Sequence, residues 1–161
     1  MVNFKVITLF VCFLVSISAF ASDGSLSIDV SLSPVGTFKI TSDKIKVKGL
    51  KKEGDSISAK KISIKKNDLK TGIDLRDEHM KKRIKERTIS VKNISAKDGT
   101  GKGTIVINKV KKEIKFNYKE DGEKIKASFS INLPDYEIND INYMGVGVEN
   151  KITLNIEINA P

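Results

Sequence analysis

The sequence predicts an all-β protein, a barrel or sandwich of about eight strands with one short helical insert. Three observations predict this fold class. After residue 21, apolar side chains recur at every second position in nearly every apolar stretch, which is the period of a half-buried strand. Turn residues separate these stretches. The other face of each strand carries Lys, Ser, Asn or Glu, the reverse of an outer-membrane barrel, whose apolar face looks outward into lipid. The chain therefore predicts an apolar interior and a polar exterior.

The first 21 residues are set aside because they resemble a secretory signal peptide. Lys5 gives a positive start, residues 6–17 form an apolar core, and Ala19-Phe20-Ala21 is a small-x-small cleavage site. We therefore expect cleavage near Ala21, export to the bacterial periplasm or secretion, and one mature domain over residues 22–161. Cys12, the only cysteine, leaves with the signal, which removes disulfides and thiol nucleophiles from the mature chain.

The strands of the first half are predicted from alternation broken by turns. Pro34 to Gly36 forms one turn and Glu53 to Asp55 another, and a phase slip at Lys60-Lys61 suggests a β-bulge. Up to Lys48, the side chains predicted to lie inside are Leu26, Ile28, Val30, Leu32, Phe38, Ile40, Ile45 and Val47. The next two strands place Ile57, Ala59, Ile62, Ile64, Ile89 and Val91 inside.

The second half alternates more regularly. Asp121-Gly122 is a strong hairpin signal because both residues tolerate positive φ, Pro134 ends a strand, and residues 147–159 are predicted to form the longest strand. The predicted inward residues are Ile105, Ile107, Ile114, Phe116, Tyr118, Ile125, Ala127, Phe129, Ile131, Ile152, Leu154, Ile156 and Ile158.

One segment breaks the alternation. Leu75 to Lys85 is strongly charged, with Met80 and Ile84 four residues apart, and Asp74 is a suitable helix cap. We expect one short helix lying on the surface between two strands.

Three segments resemble the YceI-like polyisoprenoid-binding proteins. Residues 71–80 (TGIDLRDEHM) resemble the family's T…RDxHL segment, which opens its helical insert. Residues 103–114 are similar to its G-L-T-I…V hairpin, and residues 129–154 to its closing strands. The resemblance implies an antiparallel, eight-stranded, lipocalin-like barrel that is exported in many members and holds a long isoprenoid or similar apolar chain along its axis.

The barrel interior is the candidate ligand site, with room expected beside the small residues Ala59 and Ala127. A dry aliphatic channel suits an apolar chain, but the same residues would also form a filled core, and the sequence leaves both readings open. The predicted lining comprises Phe38, Ile57, Ala59, Ile62, Ile64, Ile89, Val91, Ile105, Ile107, Ile114, Phe116, Tyr118, Ala127, Phe129, Ile131, Ile152, Leu154 and Ile156.

The insert supplies a second candidate group at the barrel mouth: Arg76, His79 and Met80. The three arginines of the chain, Arg76, Arg83 and Arg87, all lie around the insert. Arg76 either orders the insert or meets a polar headgroup, or it has a purely structural role in which it pairs with a carboxylate such as Asp74 or Glu78 or bonds backbone carbonyls. A packed, hydrogen-bonded structural role is expected for the single histidine.

Most chemistry is excluded by what the chain lacks. One histidine without cysteine makes no typical zinc site, and no nucleophile elbow is present. We therefore expect no enzyme activity, no metal and no cofactor. The lysines are spread over every strand with few aromatic residues, which argues against nucleic acid and allows weak association with an anionic membrane surface. The predicted function is an exported carrier of a polyisoprenoid, quinone tail or fatty acyl chain; the alternative is a periplasmic interaction module with a filled core that binds an anionic partner through its lysines.

Overall fold

The computed structural model describes residues 22–143 and 145–161. The predicted signal peptide lies outside these residues. The helix is α1 (Asp74–Arg83), and two short 3-10 helices cover Lys66–Asp68 and Leu133–Tyr136. The strands are β1 (Ser22–Ser33), β2 (Thr37–Lys48), β3 (Lys51–Glu53), β4 (Ser56–Lys65), β5 (Thr88–Lys97), β6 (Thr100–Ile107), β7 (Val110–Asp121), β8 (Lys124–Asn132), β9 (Asn142–Tyr143), β10 (Val146–Val148) and β11 (Lys151–Asn159).

Eight of these strands close into an antiparallel barrel, which confirms the predicted fold class. The hydrogen-bonded order runs β11-β8-β7-β6-β5-β4-β2-β1, and β1 pairs with β11 to complete the circle, with Leu26 opposite Ile156. Each strand is half-buried, and the apolar side chains of its inner face meet in one core. The two-residue period of the sequence therefore places apolar side chains inside the barrel and polar side chains outside it.

The two ends of the barrel carry different connections. The end with short connections, at residues 98–99 and 122–123, is called the base. The other end, called the mouth, carries the Pro34 turn, residues 66–87 (the insert) and residues 133–150 (the cover segment). β2 pairs with β4 only over Lys46–Lys48, so the wall is open between them toward the mouth. The insert enters this gap, where Lys70 and Thr41 exchange backbone hydrogen bonds of 2.8 and 2.9 Å.

Three local predictions need correction. The 147–159 segment is two strands, β10 and β11, and is shorter than the 12-residue strands. Asp74 is the first residue of α1 rather than its cap; Ile73 precedes the helix without a capping side chain. Ala59 and Ile62 both face inward as the phase slip predicts, but the register shift lies in β5, where Asn93 takes a φ of 51°.

Candidate functional site

A chamber of about 760 Å³ occupies the mouth half of the barrel. Its walls are the inner faces of the strands near the mouth, and the insert and cover segment complete it. Seven residues of the predicted ligand lining face it: Phe38, Ile64, Ile89, Ile107, Ile131, Ile152 and Leu154. Their contact with a ligand stays a prediction.

The base half of the same barrel is almost filled. Its cavity measures about 50 Å³ and shares no lining residue with the chamber. Ala59 and Ala127, where room was expected, lie here. Ten residues of the predicted ligand lining surround this small cavity: Ile57, Ala59, Ile62, Val91, Ile114, Phe116, Tyr118, Ala127, Phe129 and Ile156.

Phe116 fills the base because a glycine lies opposite its backbone. Gly101 is the β6 partner of Phe116, and Ala96 of β5 is the next residue across. A Cβ added to Gly101 would lie 2.3 Å from Cζ of Phe116 and 2.8 Å from Cβ of Ala96. The ring thus occupies the space that a side chain at position 101 would need.

Fully buried aliphatic residues lie between the two cavities and line neither. Val47 and Ile105 are at most 1% exposed. The strand register connects them around the wall through Ile62 and Val91. We call this row (Val47, Ile62, Val91, Ile105) the floor, because it lies between the chamber and the base cavity; Ile62 and Val91 face the base cavity, and Val47 and Ile105 line neither space.

Much of the chamber wall was missed by the predicted lining. The β1 side chains were predicted inward but were not assigned to the site, and the insert and cover segment show no alternation that would reveal them. The additional lining residues are Leu26, Ile28, Val30, Leu32, Ile40, Leu69, Thr71, Ile73, Leu75, Lys82, Arg83, Ile84, Leu133, Ile138, Ile141, Asn142, Val146 and Val148.

A buried carboxylate fixes the start of the insert. Oδ1 of Asp77 accepts hydrogen bonds of 2.7 Å from both the amide and the hydroxyl of Thr71, and Nζ of Lys70 lies 3.6 Å from its Oδ2. Burial acts to raise the pKa of Asp77, but the Thr71 hydrogen bonds and the charges of Lys70 and Lys81 outweigh it and hold the pKa below its ordinary value. Asp77 is therefore charged and structural.

Asn108, in the two-residue turn between β6 and β7, fastens the insert to the cover segment. Its Oδ1 accepts a hydrogen bond of 2.7 Å from the amide of Lys85. Its Nδ2 donates to the carbonyls of Arg83 and Tyr136 at 3.1 and 3.0 Å. Arg83 adds side-chain hydrogen bonds to the carbonyls of residues 139 and 140 in the cover segment. One buried amide thus joins both structures at the mouth.

The predicted mouth residues Arg76, His79 and Met80 all line the chamber. The guanidinium carbon of Arg76 lies 4.2 Å from the centroid of the Phe38 ring, a cation–π contact. Within the described part of the chain, Arg76 forms no ion pair with Asp74 or Glu78, so that the carboxylate-pairing reading is wrong. His79 is exposed on α1 although it lines the chamber, and its structural role stays a prediction.

Exposed apolar side chains ring the mouth. Val35 is 84% exposed, Leu75 54%, Ile73 51% and Val146 42%. They belong to three separate segments that all lie at this end of the barrel. We call these four side chains the rim.

A polar groove of about 940 Å³ also lies on the outer face. Its lining includes Lys70, Lys119 and Lys126 but also Asp43, Asp68 and Glu157, so that its charge is balanced. In the residues that the structure describes, no cluster of His, Cys, Asp and Glu could hold a metal ion, and no helix is long and apolar enough to cross a membrane.

The fold is similar to those of several solved structures. A polyisoprenoid-binding domain from Saccharophagus degradans, implicated in plant cell wall breakdown, superposes with a TM-score of 0.61 at 15% identity, covering 89% of this chain and 100% of that one. BcnA of Burkholderia cenocepacia gives 0.62 at 11% identity over 86% and 96%. A mutant CJ YCEI protein gives 0.60 at 17% identity over 78% and 85%. At these identities the likeness concerns the fold alone.

Comparison with curated protein sequences finds no match. The family model of the YceI-like domain matches residues 18–160, which include almost all of the barrel and both structures at its mouth. The chain belongs to the YceI-like family.

Proposed function

We propose that the protein binds and carries one lipid, whose apolar chain occupies the chamber and is a polyisoprenoid, a quinone tail or a fatty acyl group. The chamber carries this proposal: about 760 Å³ of space lined mainly by aliphatic side chains, in a barrel whose other half is filled. Aliphatic walls bind such chains by shape and by removing apolar surface from water. The solved polyisoprenoid-binding domain of the same fold supports this choice of ligand.

We propose binding without covalent catalysis. The polar groups lining the chamber are Thr71, Arg76, His79, Lys82, Arg83 and Asn142. The one hydroxyl among them, that of Thr71, donates to Oδ1 of Asp77, but the same oxygen also accepts the Thr71 amide, so that we assign this pair to the structure of the insert rather than to an activated nucleophile. Cations beside an apolar space can hold a charged group in place, and this is the role assigned to them.

We propose that the rim makes a weak contact with a membrane surface while the ligand is exchanged. Four exposed apolar side chains around one opening are costly in water and favourable at the headgroup boundary of a bilayer. Lys82 and Arg83, on the same side of the opening, would be attracted to anionic lipids. The test is flotation with vesicles containing phosphatidylglycerol. The Ile73→Ser/Leu75→Ser variant should float less than wild type, whereas Val110→Ser, in a half-buried position outside the rim, should not; equal flotation of all three proteins overturns the contact.

We propose that the protein is exported before it acts, on the strength of the signal-like residues 1–21. Expression of the full chain in a bacterium, followed by fractionation and N-terminal sequencing, tests this. A periplasmic or secreted product beginning near Ser22 is the expected result. A cytoplasmic product that retains Met1 contradicts it.

The carrier function is tested on the purified barrel, residues 22–161. Extraction with organic solvent and mass spectrometry should recover one class of lipid in near-stoichiometric amount. Delipidated protein should take up added isoprenoid or fatty acid. A clean extract, together with no uptake, contradicts the carrier function, and salt-sensitive binding of anionic polymers would then favour the interaction module.

A further inference from the structure

The proposed function does not specify the length or the headgroup of the ligand. The inner end of the chamber is relevant to the length of the ligand, and its outer end is relevant to the headgroup. We propose, on the basis that the chamber binds a lipid as proposed above, that the ligand is a single-chain anionic amphiphile with at most about 25 enclosed carbons. Its chain ends at the floor, and its anionic group lies among Arg76, Lys82 and Arg83.

The length limit follows from the floor. The chamber and the base cavity share no lining residue, and the almost completely buried Val47 and Ile105 lie between them. A chain entering at the mouth therefore meets packed side chains halfway along the barrel. Since a methylene group, like a liquid water molecule, takes up roughly 30 Å³, the 760 Å³ chamber holds about 25 carbons, or about five isoprene units.

The charge of the headgroup follows from the polar lining. Three cations, Arg76, Lys82 and Arg83, line the chamber, whereas no Asp or Glu among the described residues does so. None of the three forms an ion pair within the described part of the chain. An anion at this place would therefore be attracted without having to displace a protein carboxylate.

The position of Arg76 shows where the headgroup would lie. Phe38 lines the chamber wall, and the guanidinium stacks on its ring while the side chain stays half-buried. The charge is thus held at the boundary between the apolar space and the opening, where water screens it less than on an open surface. Stacking leaves the edge of the guanidinium available to donate two hydrogen bonds to one carboxylate or phosphate.

Headgroup preference is tested with two ligands of the same chain, farnesyl monophosphate and farnesol, which compete with the neutral dye Nile Red. We expect the phosphate to bind at least ~10-fold more tightly than the alcohol. In the Arg76→Gln/Lys82→Gln variant this ratio should fall below ~3. Lys111→Gln, which removes an exposed cation near the mouth outside the chamber, should keep the wild-type ratio. Equal binding of the two ligands by wild type, or an unchanged ratio in the double variant, overturns the assignment of an anionic headgroup.

Chain length is tested with polyprenyl monophosphates from 10 to 55 carbons, at one headgroup. Affinity should rise steeply up to about 20–25 carbons and then level off, because further carbons stay outside the chamber. Affinity that still rises beyond 35 carbons overturns the length limit. The same assay separates this inference from the proposed function: if no compound of any length or charge displaces the dye, the carrier function itself is wrong, whereas binding without preference for charge or length overturns only the inference.

Discussion

The base half and the mouth half of the barrel are built from the same eight strands with the same alternation, yet one is filled and the other is hollow. In the base, the aromatic ring of Phe116 lies over Gly101 and beside Ala96, so that large and small side chains complement one another across neighbouring strands. In the mouth, the paired residues Ile28 and Ile40 are both aliphatic, and Phe38 stays at the edge beneath Arg76. Alternation thus decides which side chains face inward, and complementarity across strands decides whether they fill the space.

The largest effect should come from removing an aromatic ring in the base. Phe116→Ala is expected to lower the free energy of unfolding by ~4 kcal/mol, because a tightly enclosed cavity replaces the ring. The matched change in the mouth, Phe38→Ala, should cost only ~1 kcal/mol, because Phe38 is half-buried beside existing space. Urea denaturation measures both. Equal costs would show that the two halves are packed alike.

The next effect concerns the fastening of the mouth. Asn108→Ala should destabilise the protein by ~3 kcal/mol, because three hydrogen bonds of a buried amide are lost and their backbone partners are left without it. Lys109→Ala in the same turn is the control, and only a small change is expected there because Lys109 is exposed. A cost as small as that of Lys109→Ala would mean that water replaces the amide and that the insert and cover segment are not joined through it.

A third, smaller effect contrasts the addition of volume to each half. Leu154→Phe adds atoms facing the chamber and should cost under ~1 kcal/mol while shortening the longest chain that binds. Ile125→Phe adds similar volume to the filled base and should cost about 1–3 kcal/mol with no effect on chain length. Thermal unfolding and the dye competition assay measure the two consequences. Equal stability losses with unchanged ligand length in both variants would contradict a hollow mouth half.

The smallest effect is the pH dependence contributed by the insert. Because the pKa of Asp77 is lowered in the folded protein, its charge stabilises the fold above the pKa of the unfolded chain, about 3.9, and this contribution is lost as the pH falls through the folded pKa. Asp77→Asn should therefore have a lower Tm than wild type at pH 7, and the difference should shrink below about pH 4. Other carboxylates with lowered pKa, Asp121 and Glu157 at the base and Glu137 at the mouth, titrate equally in both proteins, so that their contributions cancel in the difference. A constant difference from pH 7 to pH 3 would contradict the role given to Asp77.

The strands could be predicted from the sequence because their signal is local. Alternation and the hairpin turn are read within a few residues, and Gly122 takes the expected positive φ, 59°, between β7 and β8. Asp121, predicted as the other central turn residue, instead ends β7 and pairs with Lys124, so that this part of the prediction is wrong. The position of the hollow half could not be predicted in that way. Ala59 and Ala127 have small side chains, but whether space remains beside them depends on the residues of the neighbouring strands. Tyr118 lies opposite Ala127 in the register and helps to fill that space.

A turn in the sequence predicts the packing of the base. The pair Asn108-Lys109 forms a two-residue turn, with φ values of 51° and 67°, and such a turn fixes the register of the hairpin. Counting back from it places Gly101 opposite Phe116. The cover segment offers no comparable signal: its buried residues Leu133, Tyr136 and Ile138 follow neither a helical nor a strand period, because a 3-10 helix and a left-handed Glu137 set their directions.

The joining of the insert and the cover segment through Asn108 also has a consequence for kinetics. Two structures that moved separately would give the ligand two escape routes with separate activation barriers. Because Lys85, Arg83 and Tyr136 bond to the same amide, displacement of either structure breaks bonds that also hold the other. Dissociation of the lipid is then expected to follow a single exponential whose rate is set by one opening event.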